Sequence, residues 1–220
     1  MKLRMLSMAA AVVLAAAGLS ACTSKVGQAA VVEGHRLSDS SLSSYVQTGA
    51  KVYTDSASNT SVVPKLYVLE SWIDDQLFQR AVEANGGAIK AGELSTVRGL
   101  VLGTGTVADV AKYYGKLGYA DRFAALFVHE QEMVVLLVKR LAPTLPNSQV
   151  IPALQSGQVG SALLAAVAKL KPDVSVSGRY GKWDAKKLSL TQTAGAGLPG
   201  FVTFEPAASG GLSNLPASTQ

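Results

Sequence analysis

Apolar residues fall along this chain in three different rhythms, and each predicts a different kind of element. Residues 5–19 form an almost unbroken apolar run. Ala29-Ala30-Val31-Val32-Glu33 then reads as a short strand, with Gly34 as a turn and His35-Arg36-Leu37 as the return. Ser38 and Asp39 are good N-cap residues, and a helix is expected over about 42–53. Residues 55–61 are small and polar, which predicts a loop.

The strongest helical period spans residues 64–84. Leu66, Leu69, Ile73, Leu77 and Ala81 share a face, while Glu70, Asp74, Gln76 and Arg80 lie on others. Pro64 suits the first turn, and Asn85-Gly86-Gly87 is a stop. Two shorter helices are expected at about 92–102 and 107–117, separated by Gly103-Thr104-Gly105-Thr106, with Thr106 as a cap. A second long helix, capped by Asp121, runs to Leu141 with Phe123, Phe127, Val134, Val138 and Leu141 as its inner stripe. Another is expected over about 150–170, weakened early by Gly157 and Gly160.

Beyond Pro172 the rhythm changes again. Asp173-Val174-Ser175-Val176-Ser177 alternates with the period of a half-buried strand. Neither this strand nor the one at 29–33 can leave its backbone groups unpaired, so each is the other's best partner. The expected fold is therefore mainly α: a helical bundle with a small sheet that joins the two ends of the domain. The last thirty or so residues are rich in Ala, Gly, Ser, Thr and Pro and are expected to be largely disordered.

The first apolar run changes the picture most. It follows Lys2 and Arg4, is shorter than the ~20 residues of a membrane span, and gives way to small residues, as in a secretory signal. Leu19-Ser20-Ala21-Cys22 matches the lipobox of bacterial lipoproteins. That resemblance implies diacylglycerol on the thiol of Cys22 and cleavage before it. Several acyl chains on one residue hold far better than one, at about 0.8 kcal/mol per buried methylene. The expected organisation is a signal peptide at 1–21, a lipidated tether at 22–28, a folded domain at 29–185 and a tail at 186–220. The processed chain would sit on the extracytoplasmic side of the cell membrane.

Cys22 is the only cysteine, so the domain has no internal disulfide and no cysteine-based metal site. The formal charge of +5 includes Lys2 and Arg4, and removing those two leaves +3. Scattered basic residues at that level point to neither nucleic acid nor a polybasic membrane patch. Hydrolase chemistry lacks its parts, because there are two histidines, His35 and His129, and no Gly-x-Ser-x-Gly elbow. His129-Glu130-Gln131-Glu132-Met133 begins like a zinc-protease helix, but Met133 stands where the second histidine is needed. His129 is thus expected to be a surface or packing residue. Gly103-Thr104-Gly105-Thr106 imitates a dinucleotide loop without the βαβ surroundings that such a loop requires. Asp74 and Asp75 project about 100° apart on a helix and do not converge. No metal or cofactor is expected. Trp72, Phe78, Tyr113, Tyr114, Phe123 and Phe127 are candidates for an apolar binding groove, against the plainer expectation that helix aromatics form core.

Ala29 to Gly34, followed by Arg36-Leu37-Ser38, resembles the opening of the SurA/PrsA-type N-terminal domain. The run Val174-Ser175-Val176-Ser177-Gly178-Arg179-Tyr180-Gly181-Lys182-Trp183-Asp184 resembles the terminal strand of actinobacterial lipoproteins of this group. The resemblance implies a non-catalytic, chaperone-like module that cradles unfolded or partly folded exported polypeptides, with strands from both ends paired. It departs from many relatives in lacking a parvulin isomerase domain: the interval 141–174 is too short and helical, and the paired histidines are missing. The alternative is a structural or adaptor lipoprotein binding one folded envelope protein. Met133 is the only methionine beyond the signal, and a scarcity of adaptable side chains favours that alternative.

Overall fold

A computed structural model describes residues 27–55 and 60–191. Its elements in chain order are β1 (Gln28–Val32), β2 (His35–Ser38), α1 (Asp39–Ser43), β3 (Tyr53–Asp55), β4 (Thr60–Val62), α2 (Pro64–Ala84), α3 (Ala91–Leu102), α4 (Val107–Gly115), α5 (Asp121–Leu141), α6 (Asn147–Gln155), α7 (Gly160–Lys169), β5 (Val174–Val176), β6 (Lys182–Asp184) and β7 (Ser189–Thr191). The described chain is mainly helical with small antiparallel sheets, as the sequence pattern predicts.

β1 is the middle strand of a three-stranded sheet. It pairs with β2 through a tight turn and with β5 on its other edge, Ala30 opposite Val176 and Val32 opposite Val174. The two ends of the domain therefore meet as expected. Glu33 and Gly34 both have positive φ at the β1–β2 turn, which matches the twist of a two-residue hairpin. Glu33 is held in that conformation from two sides. Its carboxylate accepts from Arg80 at 2.7 Å on α2 and from the Asp173 backbone N–H at 2.9 Å. A second clasp joins the ends at Asp39, which accepts from the Tyr180 hydroxyl at 2.9 Å and from the Arg179 guanidinium.

Several expectations need correction. The helix predicted over 42–53 stops at Ser43. Ser43 and Ser44 turn their hydroxyls back onto the carbonyls of Asp39 and Ser41, offering the backbone an alternative to further helix. The chain then crosses to the turn before α5, where Gln47 N–H reaches the Gly118 carbonyl at 2.8 Å and Val46 pairs with Tyr119. Gly118 is required at that crossing: its φ is +93°, and a methyl there would meet the Ala50 Cβ at 2.7 Å. Residues 55–61 are not simply a loop, because their ends form the β3–β4 pair. The helix predicted over 150–170 is broken at Gly157, φ +71°, into α6 and α7, which lie at 89° to one another. Order also extends past 185. Leu188, Ser189 and Leu190 are buried as β7 folds back on β6 and against α2. The expected signal peptide, the expected lipidation residue Cys22 and residues 192–220 lie outside the described residues.

α2 and α5 form the centre. Tyr67 packs beside Phe123, Asp75 meets His129 and the Val82 carbonyl meets Arg140. The partners advance together along both helices, so the pair runs parallel. α3 and α4 pack on α5, and Arg140 ties the far end by donating to the Val82 and Gly87 carbonyls and to Glu93. α5 is N-capped by Ala120, with Asp121 inside its first turn instead of capping it. Thr106 does cap α4, exchanging hydrogen bonds with Asp109. Among the described residues, no single helix is long and apolar enough to cross a membrane.

Candidate functional site

Four of the six groove aromatics belong to the core. Phe78, Tyr114, Phe123 and Phe127 are buried, and the last three form an interior ring cluster. Tyr119 stacks on Phe123 with centroids 4.4 Å apart, and Tyr114 lies 4.9 Å from Phe127. Tyr113 is half-buried, edge-on to Tyr114 at 5.2 Å. The physical reason is the position of α5, which has neighbours on most of its circumference. Its aromatics are enclosed by α2 and α4 and do not face an open channel. Trp72 alone of the six lines a pocket beside α5.

That pocket has a volume of about 370 Å3 and is walled by Tyr45, Trp72, Asp75, Arg122, Ala125, Leu126 and His129. α2 supplies Trp72 and Asp75. α5 supplies Arg122, Ala125, Leu126 and His129, residues three or four apart and hence on one face. His129, expected as a surface or packing residue, is partly exposed in this wall and paired with Asp75. Its Nδ1 lies 2.5 Å from Asp75 Oδ1, and Gln76 Nε2 donates to Asp75 Oδ2 at 3.1 Å. The bond to Asp75 raises the His129 pKa against the opposing effect of burial; the charges of Asp75 and Glu132 raise it further, and Arg98 lowers it. Arg122 holds its guanidinium carbon 4.1 Å from the centre of the Tyr45 ring and donates to the Ser44 hydroxyl. It forms no ion pair among the described residues.

Behind the pocket lies a seam of buried carboxyls that sequence spacing did not reveal. Glu70 and Asp74, one helical turn apart on α2, and Glu130 on α5 are almost fully enclosed. Burial pushes Glu70 up to about 8, only partly offset by the Leu190 N–H that donates to its Oε1 at 2.7 Å. Burial and then the charge of Glu130 hold Asp74 well above the carboxylate range. Burial raises Glu130 too, although the Ser71 hydroxyl opposes it. Both oxygens of Asp74 and Oε2 of Glu130 lack a hydrogen-bond partner among the described residues. Burial, joined at Asp74 and Glu130 by the neighbouring carboxyls, thus shifts all three groups of the seam towards the protonated form. The seam differs from the neighbouring Glu132, which is equally buried but held by Arg98 at 2.5 and 3.2 Å. Among the described residues, no group of three or more His, Cys, Asp or Glu side chains is placed to hold a metal ion.

The arrangement can do one thing readily: present a fixed guanidinium and an oriented imidazole beside an apolar wall. Comparison with protein-family models, with curated proteins and with solved structures finds no match to this chain.

Proposed function

We propose that this chain is a non-catalytic adaptor lipoprotein, tethered through lipid on Cys22 to the extracytoplasmic face of the cell membrane and binding one specific envelope protein. The character of its surface carries this reading. Aromatic residues that would line a broad cradle are packed inside, and among the described residues the large apolar side chains that stand exposed are Val52 and Leu141, at 45% and 37%. The pocket between α2 and α5 is small, mixed in polarity and built from side chains fixed by their neighbours. Fixed donors select one partner, whereas promiscuous client binding needs surfaces that re-pack. Affinity capture of the full-length chain from detergent-extracted envelopes is expected to yield one stoichiometric partner. Many partners in substoichiometric amounts would overturn the adaptor reading.

The pairing of β1 with β5 favours a second reading, since a SurA/PrsA-type chaperone domain is expected to close its sheet in that way. Light scattering separates the two. A chaperone at excess slows aggregation of an unfolded client, and an adaptor leaves it unchanged.

A further inference from the structure

We propose that the pocket between α2 and α5 seats an acidic side chain of the partner polypeptide, its carboxylate on Arg122 and His129 and a neighbouring apolar side chain against Trp72, Ala125 and Leu126. The inference rests on the adaptor reading and deepens it by naming the chemistry that the partner must present.

Arg122 differs from the arginines that hold the fold together. Arg80, Arg98, Arg140 and Arg179 are each engaged with a carboxylate of this chain, respectively Glu33, Glu132, Glu93 and Asp39. Arg122 has the Ser44 hydroxyl and the face of Tyr45 instead. These contacts fix the plane of the guanidinium and leave the rest of its donor fork uncommitted. A planar fork matches a carboxylate in two-point contact, and a pre-oriented one loses less entropy on binding.

His129 forms part of the same wall, with its side chain 39% exposed. Because Asp75 occupies Nδ1, the ring is oriented and Nε2 is the nitrogen left over, a donor once the imidazole is protonated. Asp75 also lines the pocket, but both its oxygens are taken by His129 and Gln76, so its charge is spent within the wall. The net character of the pocket is cationic when His129 is protonated. Its volume of about 370 Å3 suits one or two side chains and not a long apolar segment. An acidic residue beside an apolar one satisfies both halves.

Titration gives the site a signature. The charged groups that face His129 are Asp75 from α2, Glu132 from α5 itself and Arg98 from α3. Their balance favours the imidazolium, so affinity for a carboxylate should fall as pH rises through the His129 titration.

The test uses the full-length chain in detergent micelles and a fluorescein-labelled peptide of Glu-Leu-Glu-Phe, followed by anisotropy. Saturable binding is expected. Exchange of both Glu for Gln in the peptide, or R122Q in the protein, should weaken it at least tenfold. H129Q should remove the rise in affinity between about pH 8 and pH 6. Ala125 is exposed on α5, and A125W should block the pocket without disturbing the core, a check made by comparing melting curves. Equal binding of the Gln peptide, or undiminished binding by R122Q or A125W, overturns the pocket assignment, as does a failure to bind the Glu peptide. Capture of a single envelope partner that survives R122Q would overturn the assignment and leave the adaptor reading standing. Loss of both would remove the two together.

Discussion

Asp74 shows how one residue can mislead when read by spacing. On the helical wheel it is polar and off the apolar face, and so would be expected in solvent. In the fold it is fully enclosed, with Glu70 and Glu130 as neighbours. The consequence is measurable in the pH dependence of stability. Glu70, Asp74, Glu130 and His129 all have folded pKa values above their unfolded ones. Each keeps a proton in the fold that the unfolded chain gives up earlier as pH rises. The carboxyl contribution is fully present below the unfolded values near about 4 and is lost on the way up to the folded ones, about 8 for Glu70. The melting temperature should therefore be higher at about pH 5 than at about pH 8, with each buried carboxyl responsible for a change on the order of a few kcal/mol. Glu130→Gln preserves shape and the Ser71 contact but cannot ionise, so its melting temperatures at the two pH values should lie closer together. If the variant keeps the parent's full pH slope, the protonated seam is wrong.

Among the elements, the long periodic ones were legible and the short ones depended on partners that no local pattern reveals. α2 carries a proline at its start, a regular apolar stripe and Asn85-Gly86-Gly87 at its end, and its limits follow from those alone. The segment after Ser38 has a good cap and some apolar residues, yet its serines and the pull of Tyr119 end it within two turns. β7 could not be read at all, since Leu188 and Leu190 are buried only because α2 stands beside them. β1 and β5 were legible as a pair through an argument about unpaired backbone, although the side chains that reinforce them were not. Asp39 was read as a cap. It is instead the acceptor for Arg179 and Tyr180, while Ser38 is the cap. Asp39→Ala should therefore cost about 1–3 kcal/mol, more than loss of an exposed ion pair, because the partly buried Tyr180 hydroxyl loses its acceptor. Chemical denaturation of the variant and of Tyr180→Phe would measure it. A cost for Asp39→Ala no greater than a few tenths would show that the clasp contributes nothing.

At the scale of the whole molecule, the apolar content of the sequence suggested a groove because aromatics appeared on several helices at once. The fold places those helices around α5, so four of the six residues became its interior. Outside that interior lies a small pocket of mixed charge whose members Arg122 and Tyr45 carry no motif. Lipid attachment belongs to this scale as well. Cys22→Ala should move the protein from the membrane fraction to the soluble or unprocessed pool, read by fractionation and by the mass of the precursor. Retention of the variant in membranes at the parent's level would remove the lipid anchor from the proposal. The position of β1 then gains a mechanical meaning. Cys22 lies only a few residues ahead of Gln28, so if the proposed lipid anchor and partner hold, drag on that partner would pass through the tether into this strand. β1 is bonded along both flanks, to β2 and to β5. Tension along its axis loads those two rows of bonds side by side, in shear, instead of peeling them open one after another. A domain hung from its central strand can bear a pull that would unzip one hung from an edge.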